Sequence, residues 1–158
     1  MSSEAKIIFN YEGKDISIHN NTIINTEIKY NNNHRIKYIG QVLNGVPEGK
    51  GVMYLDNGDR YNGEWKNDNK EGKGIYYYNN GDRYEGDYKN GKSEGKGIMY
   101  YKNGDRYEGD WKNDKREGKG ILYYNNGDRE MGNYLNDNPI GLHVTLRSNR
   151  DFFSRVYN

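Results

Sequence analysis

The sequence contains no cysteine, which excludes disulfide bonds and thiolate metal sites. It also has little hydrophobic material: hydrophobic residues, tyrosine included, make up 32% of the chain, so any core is thin. An excess of one sign of charge is lacking as well, because 24 Lys and Arg residues against 23 Asp and Glu residues leave a formal net charge of +1. No global field attracts nucleic acid, which is therefore not an expected partner.

Long apolar runs are also missing. No stretch approaches the roughly 20 apolar residues that span a bilayer, and the first residues, "MSSEAKIIFNYEGKD", contain no apolar run of signal-peptide length. These features predict a cytoplasmic protein. What the sequence does contain is 17 tyrosines and 21 glycines. The aromatic content and the balanced charge favour a rigid, thin, tyrosine-rich structure over a disordered chain.

The chain repeats itself every 23 residues. Four regular blocks begin at tyrosines, namely Tyr38, Tyr61, Tyr84 and Tyr107. A fifth, degenerate block begins at Glu130 and has His143 where the regular blocks have glycine. A fixed period of this length is typical of repeat architectures, whose atypical terminal units act as caps. We predict an N-terminal β cap at 1–37, four repeats at 38–129, and a degenerate fifth repeat with a C-terminal cap at 130–158.

Each block has the pattern of a β-hairpin. In "RYEGDWKN" (106–113), the two-residue alternation of a strand places Tyr107, Gly109 and Trp111 on one face. "EGKGILYY" is the partner strand, "NDKRE" a polar loop between the strands, and "NNGD" a turn to the next hairpin. In the N-terminal cap, "KIIFNYEGKDISIH" predicts one hairpin and "TIINTEIKYNNNHRIKY" a second one that turns at 31–33. The predicted fold is all-β: an elongated single-layer antiparallel meander of consecutive β-hairpins, with β caps at both ends.

Glycine recurs inside the predicted strands, where it normally weakens a sheet, so its regular use needs a reason. We predict that the missing Cβ atoms open flat slots in which tyrosine and tryptophan rings lie against the backbone. The residues assigned to this structural repeat are Gly63, Trp65, Gly72, Gly74, Gly86, Gly95, Gly97, Gly109, Trp111, Gly118 and Gly120.

The block "YEGDWKNDKREGKGILYYNNGDR" closely resembles the membrane occupation and recognition nexus (MORN) repeat. That pattern is Tyr-x-Gly-x-aromatic, a polar loop, Gly-x-Gly, an aliphatic or aromatic stretch and an Asn/Asp-Gly turn. The resemblance implies a rod of consecutive hairpins with a groove along one face. It implies no single function, because such repeats occur in cytoskeletal and ciliary scaffolds, membrane-junction proteins, lipid-kinase tails and methyltransferases.

One short stretch, "GDYKNGKS" (Gly86 to Ser93), satisfies the phosphate-binding loop pattern. A true phosphate loop follows a strand and opens a helix whose N-terminus holds the phosphates. Here the repeat predicts strand, loop and strand, and the equivalent loops of neighbouring blocks break the pattern. The match is therefore interpreted as chance, and no nucleotide or other cofactor is expected.

Other reactive patterns are weak. The histidines have no metal-ligand spacing, and His143 is interpreted as part of a cap. The acidic residues of the "NGD" turns recur with the repeat, whereas catalytic pairs are singular: Asp59, Asp82, Asp105 and Asp128. We interpret them as turn formers that make exposed ion pairs with the arginines that follow, Arg60, Arg83, Arg106 and Arg129. The sequence thus predicts neither an enzyme nor a metal site.

Two surfaces compete for the function. The first is an aromatic groove for a partner helix or peptide, possible because tyrosine is favoured at interfaces; its candidate residues are Tyr61, Tyr78, Tyr84, Tyr88, Tyr101, Tyr107 and Tyr124. The leading hypothesis is thus a non-catalytic interaction or scaffold protein, with a cytoskeletal or ciliary partner suggested by the resemblance. The alternative is an acidic membrane surface or phosphoinositide bound by lysines on the opposite face, Lys66, Lys73, Lys89, Lys96, Lys112 and Lys119. A homodimer through the terminal edge strands is a further expectation.

Overall fold

The computed structural model describes residues 7–11, 14–18, 24–29 and 37–158, and every regular element in them is a β-strand. The predicted turn at 31–33 lies outside the described residues, as do His19, His34 and the first half of the predicted turn "EGKD" (12–15), whose second half already belongs to a strand. The first three strands are β1 (Ile7–Tyr11), β2 (Lys14–Ile18) and β3 (Ile24–Lys29).

The repeats contribute one hairpin each. Their strands are β4 (Lys37–Leu43) and β5 (Val46–Tyr54), β6 (Arg60–Lys66) and β7 (Asn69–Tyr77), β8 (Arg83–Lys89) and β9 (Lys92–Tyr100), β10 (Arg106–Lys112) and β11 (Lys115–Tyr123), and β12 (Arg129–Leu135) and β13 (Asn138–Leu146), followed by the single strand β14 (Phe152–Tyr157). Strands β3 to β14 form one 12-stranded antiparallel sheet in sequence order, while β1 and β2 pair with each other in a separate sheet. The predicted all-β meander of hairpins is confirmed.

The turns within the hairpins are shorter than predicted. Asn113 and Asp114 both have positive φ, 50° and 66°, and join β10 to β11 directly. Two residues with positive φ make the type I′ turn, whose twist matches that of the flanking strands. Asn90 and Gly91 form the equivalent turn, and Lys92 then begins β9. The phosphate-loop pattern is therefore strand, turn and strand, without the helix that a nucleotide site needs.

The buried side chains lie on one side of the sheet, which we call the tyrosine face. The tyrosines that open the four regular repeats are at most 1% exposed. A second ring from each of the next three repeats, Trp65, Tyr88 and Trp111, packs edge-on between two of them: the Tyr88 ring centroid, for example, is 4.9 Å from that of Tyr61 and 5.3 Å from that of Tyr84. The same T-shaped contacts link Tyr38, Trp65, Tyr61, Tyr88, Tyr84, Trp111, Tyr107 and Tyr134 in one column. In this single-layer sheet, the aromatic rings are thus shielded from solvent by contact with one another.

Glycine pairs make this column possible. A Cβ atom at Gly97 would lie within 3.0 Å of the hydroxyl and ring atoms of Tyr84, and one at Gly86 would meet the Tyr84 hydroxyl and the Gly97 backbone. The hydroxyl itself donates a hydrogen bond to the carbonyl oxygen of Asp87 at 3.2 Å. The same slot occurs at Gly63 and Gly74, at Gly109 and Gly120, and at Gly40 and Gly51.

Three glycines assigned to these slots have another role. Gly72, Gly95 and Gly118 have φ of 62°, 74° and 66° and lie where the strand register shifts by a β-bulge. The Asp110 carboxylate accepts the N–H of Lys119, the residue after Gly118, at 3.0 Å. These glycines serve the backbone conformation of the bulge, so the ring-slot prediction is corrected for them.

The second ring of the column alternates between tryptophan and tyrosine, and a neighbouring position alternates with it. Tyr88 lies beside Lys70, whose Nζ is 5.0 Å from its ring centroid. Tyr134 lies likewise beside Arg116, at 4.8 Å. Where the second ring is Trp65 or Trp111, the position equivalent to Lys70 in the preceding repeat holds a smaller residue, namely Pro47 or Ser93. A long cation thus accompanies the smaller ring, and a small residue the larger one.

Each tryptophan gains a hydrogen bond that the tyrosines cannot make. Trp65 donates from Nε1 to the carbonyl oxygen of Gly51, and Trp111 to that of Gly97, both at 3.1 Å. In the other kind of junction, burial lowers the pKa of Lys70, which lies beside Tyr88, although the Asp114 carboxylate acts in the opposite direction. The two kinds of junction between consecutive repeats are therefore alternative solutions to filling the same space.

Hydrogen bonds between neighbouring repeats run along both edges of the ribbon. On one edge the Asp59 carboxylate accepts the backbone N–H of Asn79, and Asp82, Asp105 and Asp128 accept the N–H of the equivalent residues, at 2.8–2.9 Å. Burial acts to raise the pKa of Asp59, but hydrogen bonds from Asn79, Tyr76 and Asn57 outweigh it and lower that pKa. On the other edge Glu48, Glu71, Glu94 and Glu117 accept the N–H of Asn67, Asn90, Asn113 and Asn136.

The degenerate fifth repeat closes the column with a different ring. Glu130 replaces the opening tyrosine, and the ring of His143 fills the space over Gly132, where it is 1% exposed. Its two nitrogens lie 2.9 Å from a Glu130 carboxylate oxygen and from the carbonyl oxygen of Asn133. Tyr157 from β14 packs edge-on against the other side of the imidazole, with ring centroids 4.8 Å apart. These contacts fit the capping role that the sequence predicts for His143.

Candidate functional site

The other side of the sheet, which we call the isoleucine face, carries three rows of side chains that cross the strands. The arginine row alternates Arg60, Tyr77, Arg83, Tyr100, Arg106 and Tyr123. The isoleucine row contains Asn62, Ile75, Glu85, Ile98, Glu108, Ile121 and Met131. The lysine row contains Glu64, Lys73, Asp87, Lys96, Asp110, Lys119 and Asn133. Each row repeats once per hairpin.

A groove of about 1180 Å³ runs along this face between the isoleucine row and the lysine row. It extends from Asn62 on β6 to Met131 and Asn133 on β12. Its floor is bare backbone, because the residues between the two rows have their side-chain positions on the tyrosine face: Gly74, Gly86, Gly97, Gly109, Gly120 and Gly132. The backbone that receives the tyrosine rings on one face is thus the floor of the groove on the other.

The walls of the groove are held by neighbouring side chains. Lys73 pairs with Asp87, and Lys96 with Asp110, across adjacent strands. The two lysines remain 72% and 74% exposed, so each keeps donor capacity that faces solvent. Lys119 differs, since it lies opposite Asn133. The three lysines of this row were predicted to be part of a lipid-binding face. Two of them, Lys73 and Lys96, form cross-strand ion pairs.

The arginine row differs from the prediction of Asp–Arg ion pairs. Arg83 stacks over the ring of Tyr100, with Cζ 4.2 Å from the centroid, and also lies 3.6 Å from a Glu85 carboxylate oxygen. Arg106 has the same two neighbours, Tyr123 at 4.2 Å and Glu108 at 3.7 Å. Because the turn aspartates are used by the edge hydrogen bonds, the arginines are free to stack on tyrosines and to fix the glutamates of the groove wall.

The structure separates the predicted aromatic site into two groups. Tyr61, Tyr84, Tyr88 and Tyr107 are at most 5% exposed and belong to the core column, so a partner does not reach their rings. Their assignment to a binding groove is corrected on this ground. Tyr78 is 37% exposed, while Tyr101 and Tyr124 are half-buried beside the "NGD" turns of the tyrosine face. A contact of these three with a partner stays a prediction.

The predicted lysine face also divides in two. Lys73, Lys96 and Lys119 line the groove, whereas the exposed lysines at the strand ends do not: Lys66, Lys89 and Lys112. The isoleucine row was missed as a site by sequence reasoning, although Ile75, Ile98 and Ile121 recur once per repeat on the strand face opposite the rings. That alternation was the signal that could have identified it.

Other site types find no support in the described part of the chain. Within residues 7–11, 14–18, 24–29 and 37–158, no group of three or more His, Asp or Glu side chains could hold a metal ion. The same ranges contain no helix that is long and apolar enough to cross a membrane.

Comparison with known proteins follows the repeat boundaries. The family model of the MORN repeat matches residues 38–60, 61–83, 84–106 and 107–129. No curated protein matches the sequence significantly. Among solved structures, the TCP domain of Drosophila melanogaster SAS-4 (dCPAP), in complex with a proline-rich motif of Ana2 (dSTIL), superposes with a TM-score of 0.50 at 12% identity, over 96% of this chain and 90% of that chain. At that identity the likeness concerns the fold alone. The four matched repeats cover more than half of the sequence, and the chain belongs to the MORN repeat family.

Proposed function

We propose that this chain is a non-catalytic scaffold that holds a segment of a partner protein in the groove of the isoleucine face. The observation that carries the proposal is the composition of this groove. Apolar side chains recur along it once per repeat, its floor is bare backbone, and charged residues of both signs line its walls. Interfaces that bind a protein segment combine such an apolar centre with a polar rim.

The geometry favours a protein segment over a flat charged surface. A membrane reading needs lysines that meet headgroups, but Lys73 and Lys96 already pair with aspartates across the strands. Each exposed pair is worth only about 0–1 kcal/mol, yet the aspartate cancels the positive charge of its lysine. A near-neutral groove with an isoleucine row is better suited to a segment that offers apolar side chains and backbone carbonyls. The structurally similar TCP domain holds a proline-rich motif, which agrees with this use of the fold.

The proposal is tested by placing a photo-crosslinking amino acid at Ile98, inside the groove, or at Leu135, an exposed apolar position outside it. The chain then captures partners from cells, with cytoskeletal fractions first because of the family resemblance. Ile98→Glu and Leu135→Glu serve as matched charge insertions. A partner that crosslinks at Ile98, is lost with Ile98→Glu and is kept with Leu135→Glu supports the groove. Partners unaffected by Ile98→Glu contradict it.

Flotation with acidic vesicles tests the membrane alternative. Under the scaffold proposal the chain does not float with the vesicles. Salt-sensitive flotation that is abolished by Lys119→Glu, and unchanged by Ile98→Glu, would favour the lipid surface instead.

We also propose that a second copy of the chain pairs with β14. This strand lies at the edge of the 12-stranded sheet and, among the described strands, pairs only with β13. Phe152 and Val156 are 77% and 65% exposed on it. Antiparallel self-pairing centred on Ser154 places Phe152 of each copy opposite Val156 of the other, which makes the contact self-complementary. Light scattering after gel filtration should show a dimer that Val156→Lys converts to a monomer, and a wild-type monomer at high micromolar concentration would refute it.

A further inference from the structure

The spacing of the isoleucine row restricts what can lie along the groove. Ile75, Ile98 and Ile121 are on β7, β9 and β11, so consecutive isoleucines are two strands apart. Neighbouring strands are about 4.8 Å apart, which puts the isoleucines at intervals of about 9.6 Å. A ligand that contacts all three in the same way must repeat at that interval.

Two regular conformations come near this interval, and they differ in fit. A polyproline II helix has three residues per turn and rises about 3.1 Å per residue, so the same side of it recurs every 9.3 Å or so. An α-helix presents a similar side every seven residues, which is about 10.5 Å at 1.5 Å per residue. Over two intervals, the repeat of the polyproline II helix is about 0.6 Å shorter than the isoleucine spacing, whereas the repeat of the α-helix is about 1.8 Å longer.

The hydrogen-bonding groups of the groove point the same way. An α-helix satisfies its own carbonyls, while a polyproline II segment leaves every carbonyl oxygen free as an acceptor. The lysine row offers donors at the same two-strand interval, on Lys73, Lys96 and Lys119. A lysine has three N–H donors, and an ion pair with one aspartate leaves donors for a ligand carbonyl.

We propose, resting on the scaffold function above, that the occupant of the groove is a partner segment in the polyproline II conformation with an apolar side chain at every third residue. The apolar residues lie over Ile75, Ile98 and Ile121, and the carbonyls between them accept hydrogen bonds from the lysine row. From β6 to β12 the groove crosses six strand intervals, about 29 Å, which accommodates about nine residues of such a segment.

Synthetic peptides test the period directly with the full chain. The regular peptide PPLPPLPPL is compared with PPLPLPPPL, which has the same composition and conformation but irregular leucine spacing. An α-helical peptide with leucine at every seventh position is the third ligand. Binding is measured by fluorescence anisotropy with the wild type, with Ile98→Glu and with Leu135→Glu. Circular dichroism of each variant verifies that the sheet is retained.

The regular peptide should bind about tenfold or more tightly than the irregular one, and Ile98→Glu should remove that advantage while Leu135→Glu keeps it. Equal binding of both proline-rich peptides overturns the three-residue period. Binding of the helical peptide alone overturns the polyproline II conformation and leaves the scaffold proposal intact. Failure of all three peptides also overturns this inference, and the crosslinking experiment at Ile98 then decides separately whether the groove binds a protein.

Discussion

The alternation of tryptophan and tyrosine along the core column predicts that two positions are energetically coupled. The perturbation exchanges the type of one junction between repeats: Tyr88→Trp and Lys70→Ser, singly and together, give this junction the residues that Trp111 and Ser93 provide at the next one. Lys70 lies over three rings, with its Nζ 4.8 Å from the centroid of Tyr76, 5.0 Å from that of Tyr88 and 5.7 Å from that of Tyr61. An indole at position 88 needs that space.

The magnitudes follow from these contacts. Tyr88→Trp alone overpacks the site and should destabilise the fold by about 1–3 kcal/mol. Lys70→Ser alone removes the cation from three rings and leaves a void, at a cost of about 1–2 kcal/mol. In the double variant the indole fills the void, and its Nε1 has the Gly74 carbonyl oxygen as the equivalent of the acceptors of Trp65 and Trp111. That variant should lie within about 1 kcal/mol of the wild type, whereas the single costs sum to about 2–5 kcal/mol, so the coupling energy should be at least about 1 kcal/mol.

Urea unfolding followed by circular dichroism and by tryptophan fluorescence provides the assay, because coincident curves are needed before free energies are compared. Ser93→Lys with Trp111→Tyr is the matched reverse exchange and should show coupling of the same sign. If the double variant loses the sum of the two single effects to within about 0.5 kcal/mol, the positions are independent and the size-matching argument is refuted.

Three further predictions concern the glycine slot, the hairpin turn and pH. Gly97→Val should destabilise the chain by about 3–5 kcal/mol, because the valine side chain expels the Tyr84 ring, which then loses its two edge-on ring contacts. The control is Gly141→Asn, at a position where a Cβ meets nothing within 4 Å. A Gly97→Val variant with the melting temperature of the wild type would contradict the slot. Lys92→Glu should change the melting temperature little, since the residue is exposed at the start of a strand. Neither the variant nor the wild type should be stabilised by added nucleotide in a thermal-shift assay. A large loss of stability would show that the turn needs this charge. Burial raises the pKa of Tyr38 and Tyr134 to about 12 from the ordinary value of 10.0, so the fold retains these protons longer than the unfolded chain does. The stability that these two tyrosines contribute should be constant below pH 10 and fall as the pH rises from 10 to 12. Tyrosinate absorbance should then show exposed tyrosines titrating first and the core tyrosines only with loss of the sheet signal, and a single smooth titration of all tyrosines near 10 would contradict this.

Much of this architecture could be predicted from the sequence because the repeat is nearly perfect. The alternation around Tyr107, Gly109 and Trp111 determines the strands and the buried face, and the glycine pairs determine where the rings lie. The double role of glycine was less predictable, since Gly118 and Gly120 look equivalent in "EGKG" and differ only in φ. The bulge depends on the Asp110 carboxylate of the neighbouring strand, which is a tertiary contact.

The candidate site was harder to predict because the rings and the groove are on opposite faces. A tyrosine-rich sequence suggests an aromatic binding surface, and only the edge-on packing of Tyr88 between Tyr61 and Tyr84 shows that the rings cover one another. Likewise, the turn aspartates were interpreted as partners of the following arginines. Their use by the N–H groups of residues 20 positions further along cannot be seen within one repeat.

The hydrogen bonds along the two edges have a consequence for how such a protein can change its length. Along both borders of the described sheet, the carboxylates bond to an adjacent unit: Asp59 and Glu71 accept from the unit after them, and Asp114 accepts from the unit before it. A duplicated pair of blocks, about 46 residues long, inserted between existing blocks would therefore meet the same edge donors and acceptors and would keep the alternation of the column. Gene duplication could extend this molecule, and any track that runs along it, in steps of about 20 Å without redesign of either terminus.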